Sequence, residues 1–401
     1  LPNPVSQFSE QIQKKSGVIR LTLSDFRNYA GLRLDVGLCP IVLTGENGSG
    51  KTNILEAVSF LTPGRGLRGA RLADVKRQTL STSESETSFP YVGWAVSAQA
   101  VKNGEEFSIG TATQKTNREN QEEWQTFERR IVQIDGQKIS SQAELGKYLS
   151  AIWITPQMDR LFLGGTQPRR SFLDRLVYAF DMEHAKRTAA FEHLYKQWYQ
   201  LLKNGGQDAR WLTSLEDEMA CLGVAIAAAR RELIARLNHF IEQEPDDVFP
   251  DIELELDGLI EKKLDILPAL DVEDFYRQSL CNQRHAVLTS EYVDGVNRTD
   301  FKVYYKKKHM PAELCSTGEQ KSLLISILLA QTRCQILEKG FAPILLLDEV
   351  TTHLDDRKRD ALLQKIKDLH LQAWLTSTET QIFDSLRGEA QFLTVKNNTV
   401  F

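Results

Sequence analysis

The stretch Gly45-Glu46-Asn47-Gly48-Ser49-Gly50-Lys51-Thr52 constrains this chain more than any other, because the apolar run 40–43 precedes it and a helical pattern over 53–61 follows. Strand, glycine-rich turn and helix together form a cradle for phosphate. Glycines let the backbone curl until its N–H groups converge on an anion, and the following helix adds partial positive charge at its N-terminus. Lys51 then serves as a point charge on the β- and γ-phosphates, and the Thr52 hydroxyl suits Mg²⁺ as a ligand. A purely structural glycine turn is the competing reading, and the flanking strand and helix weigh against it.

Some 300 residues later the run Ile344-Leu345-Leu346-Leu347 ends in Asp348-Glu349. A continuous apolar run closed by carboxylates is expected of a central parallel strand whose C-terminal end meets the ligand. Asp348 is expected to hold Mg²⁺. Glu349, one residue on, is expected to orient and polarise the attacking water, since phosphoryl transfer depends mainly on positioning and charge stabilisation. The segment Cys315-Ser316-Thr317-Gly318-Glu319-Gln320-Lys321 precedes a helix expected over 322–337. It reads either as a second anion-binding helix end or as an ordinary N-cap at Ser316 or Thr317.

The 401 residues, 41% hydrophobic and 26% charged, suit two or three globular units. No window nears the roughly 18 apolar residues of a membrane span, and the polar start, 1–17, reads as a loose tail. The cysteines Cys39, Cys221, Cys281, Cys315 and Cys334 are scattered without a C-x-x-C pair. That argues against a disulfide framework and a zinc site, and places the chain in a reducing cytoplasm. A formal charge of −5 argues against a chain that coats polyanions over its whole surface, but it permits a local basic face.

In chain order, alternating strands are expected over 18–29 and 32–36, before the strand that feeds the phosphate loop, as the start of a mixed sheet. The segment 63–71 is a loop carrying Arg65, Arg68 and Arg71, open to a solvated or a phosphate-contacting role. A polar loop is expected at 79–88. Strands at 91–98, 106–113 and 129–134, the last closed by Asp135-Gly136, build an antiparallel lobe. A strand at 152–154 is cut by Pro156, with Gln157 and Asp159 just beyond it. Helical spacing over 169–203 and 208–244, broken at 204–207, gives a helical hairpin. Its aromatics (Phe180, Phe191, Tyr195, Trp198, Tyr199) are read as interhelical packing. A strand at 252–256, a helix at 272–288 and a strand at 301–305 follow. The basic run 306–309 is read as a solvated strand tip or as a DNA phosphate contact.

The order phosphate loop, Pro156-Gln157, helical insertion, 316–320, Leu-Leu-Asp-Glu strand and Thr352-His353-Leu354-Asp355 resembles the ABC-type ATPases of chromosome maintenance. More narrowly it resembles the RecF family of bacterial recombination-repair ATPases. The narrower likeness rests on Asp25-Phe26-Arg27-Asn28-Tyr29, on 45–52, on 169–174, on Asn297-Arg298-Thr299-Asp300 and on 316–320, and it covers residues 18–401.

The resemblance implies an α/β fold: a two-lobed ABC-type ATPase head, with a P-loop mixed sheet plus an antiparallel β lobe, and an inserted α-helical hairpin arm. The divisions expected are a flexible tail 1–17, a first lobe 18–165, an arm 166–290, and the remaining head 291–401. It further implies slow hydrolysis of ATP with Mg²⁺ in a homodimer that ATP holds together. Each nucleotide would lie between one chain's 45–52 loop and the other's Ser316, Gly318, Glu319 and Gln320. Arg27 and Asn28 would lie near the nucleotide, Gln157 would sense Mg²⁺ and the γ-phosphate, and Asp355 would lie at the dimer seam. Arg65, Arg68, Lys306 and Lys307 are the DNA candidates. The implied partners are double-stranded DNA near single-strand gaps and the proteins RecR and RecO, which help load RecA, all at the nucleoid in the cytoplasm.

This sequence departs from the family pattern at Gln157, at Asn297 where a His is common, and at Trp374-Leu375-Thr376-Ser377-Thr378-Glu379. The last segment lacks the switch histidine of transporter ATPases, which leaves the γ-phosphate sensor open. The rival functions are a transporter ATPase subunit, disfavoured by the long arm and the missing histidine, and a scaffold that binds nucleotide without hydrolysis, disfavoured by Asp348 and Glu349.

Overall fold

The computed structural model describes residues 15–77, 92–120, 123–205, 208–243, 246–289 and 294–401. The expected polar loop at 79–88 and most of the 1–17 tail lie outside them. The described chain divides into two compact units, one running up to Met158 and resuming at Thr332–Phe401, the other Asp159–Gln331.

In the first unit, β1 (Gly17–Phe26) and β2 (Tyr29–Asp35) pair as a hairpin. Gly17 is thus already strand rather than tail. After them β3 (Ile41–Thr44), buried at all four positions, feeds the glycine loop and α1 (Lys51–Ser59). A short α2 (Leu72–Val75) precedes β4 (Val92–Lys102), β5 (Glu105–Asn120), β6 (Glu123–Ile134) and β7 (Gln137–Lys138). The antiparallel sheet has the order β2-β1-β4-β5-β6-β7, so β1 and β2 belong to this lobe and do not begin the sheet of β3. The reason lies in the pattern itself. Alternation, with Leu21, Leu23 and Phe26 buried and Ser24 and Asp25 exposed, suits a sheet with one wet face, whereas a continuous apolar run suits a strand covered on both faces.

An aromatic cluster of Phe26, Phe60 and Trp94, with ring centroids 4.9–5.9 Å apart, packs the end of α1 against the antiparallel sheet. Beside it the buried Arg130 donates to the carbonyls of Phe60 and Gly64, placing its guanidinium over the C-terminal end of α1. Burial pushes that guanidinium down to about 10. The strand β8 (Ala151–Ile154) follows and ends, as expected, at a proline-led 3-10 turn, Pro156–Arg160.

The second unit opens with α3 (Thr166–Tyr178), α4 (His184–Lys203) and α5 (Ala209–Gln243). The single helix expected over 169–203 is therefore two, parted at 179–183. The strand β9 (Ile252–Asp257) is followed by α6 (Leu259–Leu264), α7 (Ala269–Asn282) and α8 (Arg284–Thr289), so the helix expected over 272–288 breaks at Gln283. β10 (Asp300–Tyr305) is the middle strand between β9 and β11 (Met310–Pro311). Phe191 and Trp198 are core residues packed with Met219, Val224 and Tyr276, while Phe180 instead lies under Arg236, 5.6 Å away. Trp198 Nε1 donates to the buried Glu216 at 2.9 Å, and Arg284 Nε reaches the same carboxylate at 2.7 Å.

The motif residues at 169–174 and 297–300 have structural duties here. Arg169 grips Asp300 with two bonds of 2.7 and 2.9 Å, and Arg170 donates to the Thr299 carbonyl at 3.2 Å. Asp174 is held in the same manner by Arg230 at 2.8 and 2.9 Å, and by His184 Nε2 at 2.8 Å.

Helix α9 (Thr317–Lys339) carries the chain out of the second unit, and β12 (Ile344–Leu347), α10 (Asp356–Asp368), β13 (Ala373–Ser377), β14 (Gln391–Lys396) and β15 (Thr399–Val400) complete the first. Their sheet has the order β15-β14-β3-β13-β12-β8, parallel except for the β14–β15 hairpin. It is mixed because of β15. Gln372 ties the two sheets of this unit together, accepting from the Val18 N–H at 2.9 Å and donating to the carbonyls of Val18 (2.6 Å) and Gly37 (2.8 Å).

The buried Asp174–Arg230 pair yields a stability prediction. Burial alone would raise the Asp174 carboxyl, but Arg230 and then His184 outweigh it and hold it down to about 2, against an ordinary 3.8. The folded-state value is depressed, so its stabilisation is complete above the unfolded value and is lost as the pH falls through the folded one. Asp174→Asn should cost about 3 kcal/mol at neutral pH, because it leaves Arg230 short of charge compensation. Urea unfolding should show that cost at pH 7, and the gap between wild type and variant should shrink between pH 4 and 2.

Candidate nucleotide-binding site

The loop 45–50 has a conformation that its glycines alone permit. Gly45 lies at φ +150° and Gly50 at +112°, and a Cβ would collide with backbone at the first and with side-chain ends at the second. At Gly45 it would sit 2.1 Å from the Val395 carbonyl oxygen. At Gly50 it would sit 2.5 Å from the Tyr29 hydroxyl and 2.8 Å from Asn28 Nδ2. The Asp-Phe-Arg-Asn-Tyr turn thus backs onto the loop. Lys51 folds over it, donating to the carbonyls of Gly45 (2.6 Å) and Glu46 (2.9 Å). Burial lowers the pKa of its ammonium, and the nearby charges of Glu349 and Asp348 work in the opposite direction. Glu46, Asn47 and Gly48 are exposed at the loop tip.

The parallel register brings the second half of the motif to the first. Thr44, the last residue of β3, is level with Ser377 of β13, and Leu347 of β12 is level with Leu375 of β13 and Ile154 of β8. The segments after these strands therefore leave from one edge of the sheet, the edge at which α/β sheets bind ligands. There the Thr52 hydroxyl meets both oxygens of Asp348, at 2.9 and 3.1 Å, and Thr376 donates to Asp348 Oδ1 at 2.8 Å. Thr376 also accepts from the Glu349 N–H at 2.9 Å. Glu349 itself lies at φ +47°, a left-handed turn that costs a non-glycine residue about 1 kcal/mol or more. A hydroxyl and a carboxylate in contact form a hard-oxygen donor pair suited to Mg²⁺, which would complete its shell with water and phosphate oxygens.

Beside the loop is a polar cleft of about 550 Å³ lined by Arg27, Asn28, Asn53, Arg68, Asp74, Lys76, Arg77 and Asn398. Its framework is the fully buried Glu56 of α1. Arg27, at φ +56°, reaches Glu56 with both Nε (2.8 Å) and Nη2 (2.5 Å), and Arg68 adds a third bond at 2.9 Å. Arg68 Nη1 and Asn28 Oδ1 both engage Asn53, at 2.8 and 2.7 Å. Arg68, expected as a DNA candidate, thus lines this cleft with its charge paired to Glu56. Arg65 is exposed.

The other expected residues are placed as follows. Gln157 is exposed in the 3-10 turn after β8, while Asp159 lies 3.4 Å from Lys321 within the second unit. Ser316 caps α9 in a reciprocal box: its Oγ accepts from the Glu319 N–H at 3.4 Å, and its N–H and hydroxyl donate to Glu319 Oε2 at 2.8 and 2.9 Å. Ser316 and Thr317 are exposed and Gly318 is half-buried. Gln320 departs from the expected contact with a partner's nucleotide, because it is 1% exposed and its amide donates to the Cys315 carbonyl at 3.0 Å. One residue past the capping turn, the helical rotation points it inward. Asp355 is exposed and N-caps α10, accepting from the Lys358 N–H at 2.9 Å. Lys306 lies 3.4 Å from Glu242, and Lys307 is exposed.

Sequence reasoning gave no individual role to Thr376 or Tyr29, which it quoted only within motifs, and none to Glu56 or Asn53. A hydroxyl at the end of a strand was a signal for Thr376. For Glu56 the signal was a carboxylate on a helix face that is otherwise apolar.

The chain matches the model of the RecF/RecN/SMC N terminal domain over residues 17–400. It is 41% identical over 385 residues to the DNA replication and repair protein RecF of Mesorhizobium japonicum, covering 96% of this chain and 97% of that protein. To the protein of the same name from Allorhizobium ampelinum it is 41% identical over 384 residues, covering 95% and 98%. Among solved structures, the recombination mediator protein RecF-ATP in the RecFOR pathway superposes with a TM-score of 0.76 at 18% identity, covering 97% of this chain and 98% of that one.

Gly50→Ala should leave the chain folded but weaken ATP binding by about tenfold or more, because the cradle must open to admit the methyl group. Lys51→Met should abolish turnover, and Lys51→Arg should too, since a planar fork cannot replace a compact ammonium there. Titration with a fluorescent ATP analogue and a phosphate-release assay check both.

Proposed function

The chain belongs to the RecF family, within the broader RecF/RecN/SMC group, and from that premise we propose that it is an ATPase of DNA replication and repair that closes on DNA as an ATP-held homodimer. The observation that carries the reading is the contact of Thr52 with Asp348, which joins the phosphate loop to the end of the central strand. Nothing about a structural glycine turn would require that contact.

In this reading Lys51 exchanges the carbonyls of Gly45 and Glu46 for the β- and γ-phosphates, and the loop N–H groups surround them. Thr52 and Asp348 hold Mg²⁺, which when bound neutralises phosphate charge. Glu349 orients water and accepts its proton while the water oxygen bonds to the γ-phosphorus and the bond to the β-phosphate oxygen breaks. Thr376 fixes both acids, through the carboxylate of Asp348 and the backbone N–H of Glu349. It stands in the segment that lacks a switch histidine. The cleft of Arg27, Asn28, Asn53 and Arg68 takes the nucleoside side of ATP, and Gln157 responds to the γ-phosphate.

Ser316, exposed, and Gly318, half-buried, stand at the start of α9 and face the nucleotide of a second copy, with Asp355 at the seam. Closure gathers Arg65, Lys306 and Lys307 against DNA. Double-stranded DNA beside single-strand gaps, with RecO and RecR as partners in loading RecA, completes the proposal, as family membership suggests. Hydrolysis is slow, because each site is complete only in the closed dimer.

DNA affinity should rise with ATP and fall steeply with salt, although the chain is acidic overall, because contacts to phosphate release counterions. Fluorescence anisotropy with gapped duplex at several salt concentrations checks this. A flat salt response, or equal affinity without nucleotide, overturns the clamp.

Action in trans has its own test. Ser316→Arg should block closure while ATP still binds at Lys51 and Thr52, and Lys51→Met should be inactive alone. Mixed, the two variants form dimers with one intact composite site, so partial recovery of ATPase activity is expected. No recovery despite mixed dimers seen by mass spectrometry overturns the composite site.

A further inference from the structure

The basic turn between β10 and β11 has an unexpected neighbour. Lys308 lies in direct contact with the Glu319 carboxylate, and Glu319 Oε2 accepts both the N–H and the hydroxyl of Ser316. One chain of charge and hydrogen bonds thus runs from the tip of the three-stranded sheet to Ser316, the N-cap of α9, the helix that the signature segment 316–320 opens, all of it within the second unit.

This arrangement meets an electrostatic need. The reading above puts the partner's triphosphate against Ser316, yet a carboxylate touches that same hydroxyl. An uncompensated anion there would repel the polyphosphate and undo what the helix N-terminus offers it. Lys308 supplies the compensating charge, and by fixing Glu319 it also fixes the rotamer of Ser316. Lys306, by contrast, is turned toward Glu242, so within the run 306–308 Lys308 is the residue committed to the signature segment.

We propose that Lys308 is a positioning residue of the composite ATP site: it neutralises and clamps Glu319, which holds the signature turn through the Ser316 N–H, so that the Ser316 hydroxyl can turn its one proton from Glu319 to the partner's nucleotide. This rests on the composite-dimer reading and adds to it the residue that makes an acidic signature segment compatible with a triphosphate. The ordinary roles for an exposed lysine at a turn are solvation or a contact with DNA phosphate. Neither predicts dependence on Glu319.

The test is a charge cycle read without DNA. Lys308→Met should leave ATP binding to the dilute monomer unchanged, raise the concentration needed for ATP-dependent dimerisation about tenfold, and lower kcat with little change in KM. Lys308→Arg should retain most of wild-type dimerisation, and adding Glu319→Gln to Lys308→Met should recover at least half of the loss, because the uncompensated charge is gone. Raised salt should narrow the gap between wild type and Lys308→Met.

Three results overturn the proposal while wild type still dimerises with ATP. These are Lys308→Met dimerising like wild type, a defect that appears only when DNA is added, or a defect that Glu319→Gln does not relieve. If wild type itself fails to dimerise with ATP, it is the composite-dimer reading that has failed.

Discussion

The chemistry of the first unit depends on one alignment, the parallel register that brings the ends of β3, β13 and β12 to a common edge. That register places Thr52 against Asp348 although 296 residues separate them in sequence. Most else in the site follows from it. Lys51 lies in the field of two carboxylates, Thr376 on β13 bonds the Asp348 carboxylate and the Glu349 backbone N–H, and the left-handed turn at Glu349 starts where the strand ends. In strands buried at every position, a one-residue slip would exchange side chains of unlike volume between two close-packed faces, so the packing of β3, β12 and β13 fixes the site.

The glycine loop is held from outside as well as by its own flexibility. Tyr29 and Asn28 stand where a side chain at position 50 would go, and the Val395 carbonyl stands where one at position 45 would go. Two separate segments therefore close around the cradle. The Arg27–Glu56–Arg68 group extends this support: a buried carboxylate shared by two guanidiniums fixes the wall of the cleft while leaving guanidinium edges open to it.

In the second unit, buried charges set the architecture of the helical part. Asp174 with Arg230 and His184, Glu216 with Arg284 and Trp198, and Arg169 with Asp300 each join segments far apart in the chain. Such pairs are costly to bury and costlier to break, and for that reason they specify which helices meet. The residues through which this chain resembles its family at 169–174 and 297–300 are in large part these partners, so their role here is to shape the unit.

The sequence by itself determined the phosphate loop, the carboxylate-ended strand, the signature helix start and the α/β class, because each is local: a spacing of glycines, an apolar run, a cap. It also carried the likeness to RecF. It did not determine that the alternating strands at 17–35 leave the sheet of β3 for an antiparallel lobe, nor that the long helical pattern after 166 parts at 179–183, since both are decided by which surfaces are covered. Gln320 turning inward, Arg68 pairing with Glu56, and Lys308 reaching Glu319 depend on how a loop or turn packs against the neighbouring helix, which spacing along the chain does not give. Periodicity gives the face a residue occupies on its own element, and only the packed structure decides what stands opposite that face.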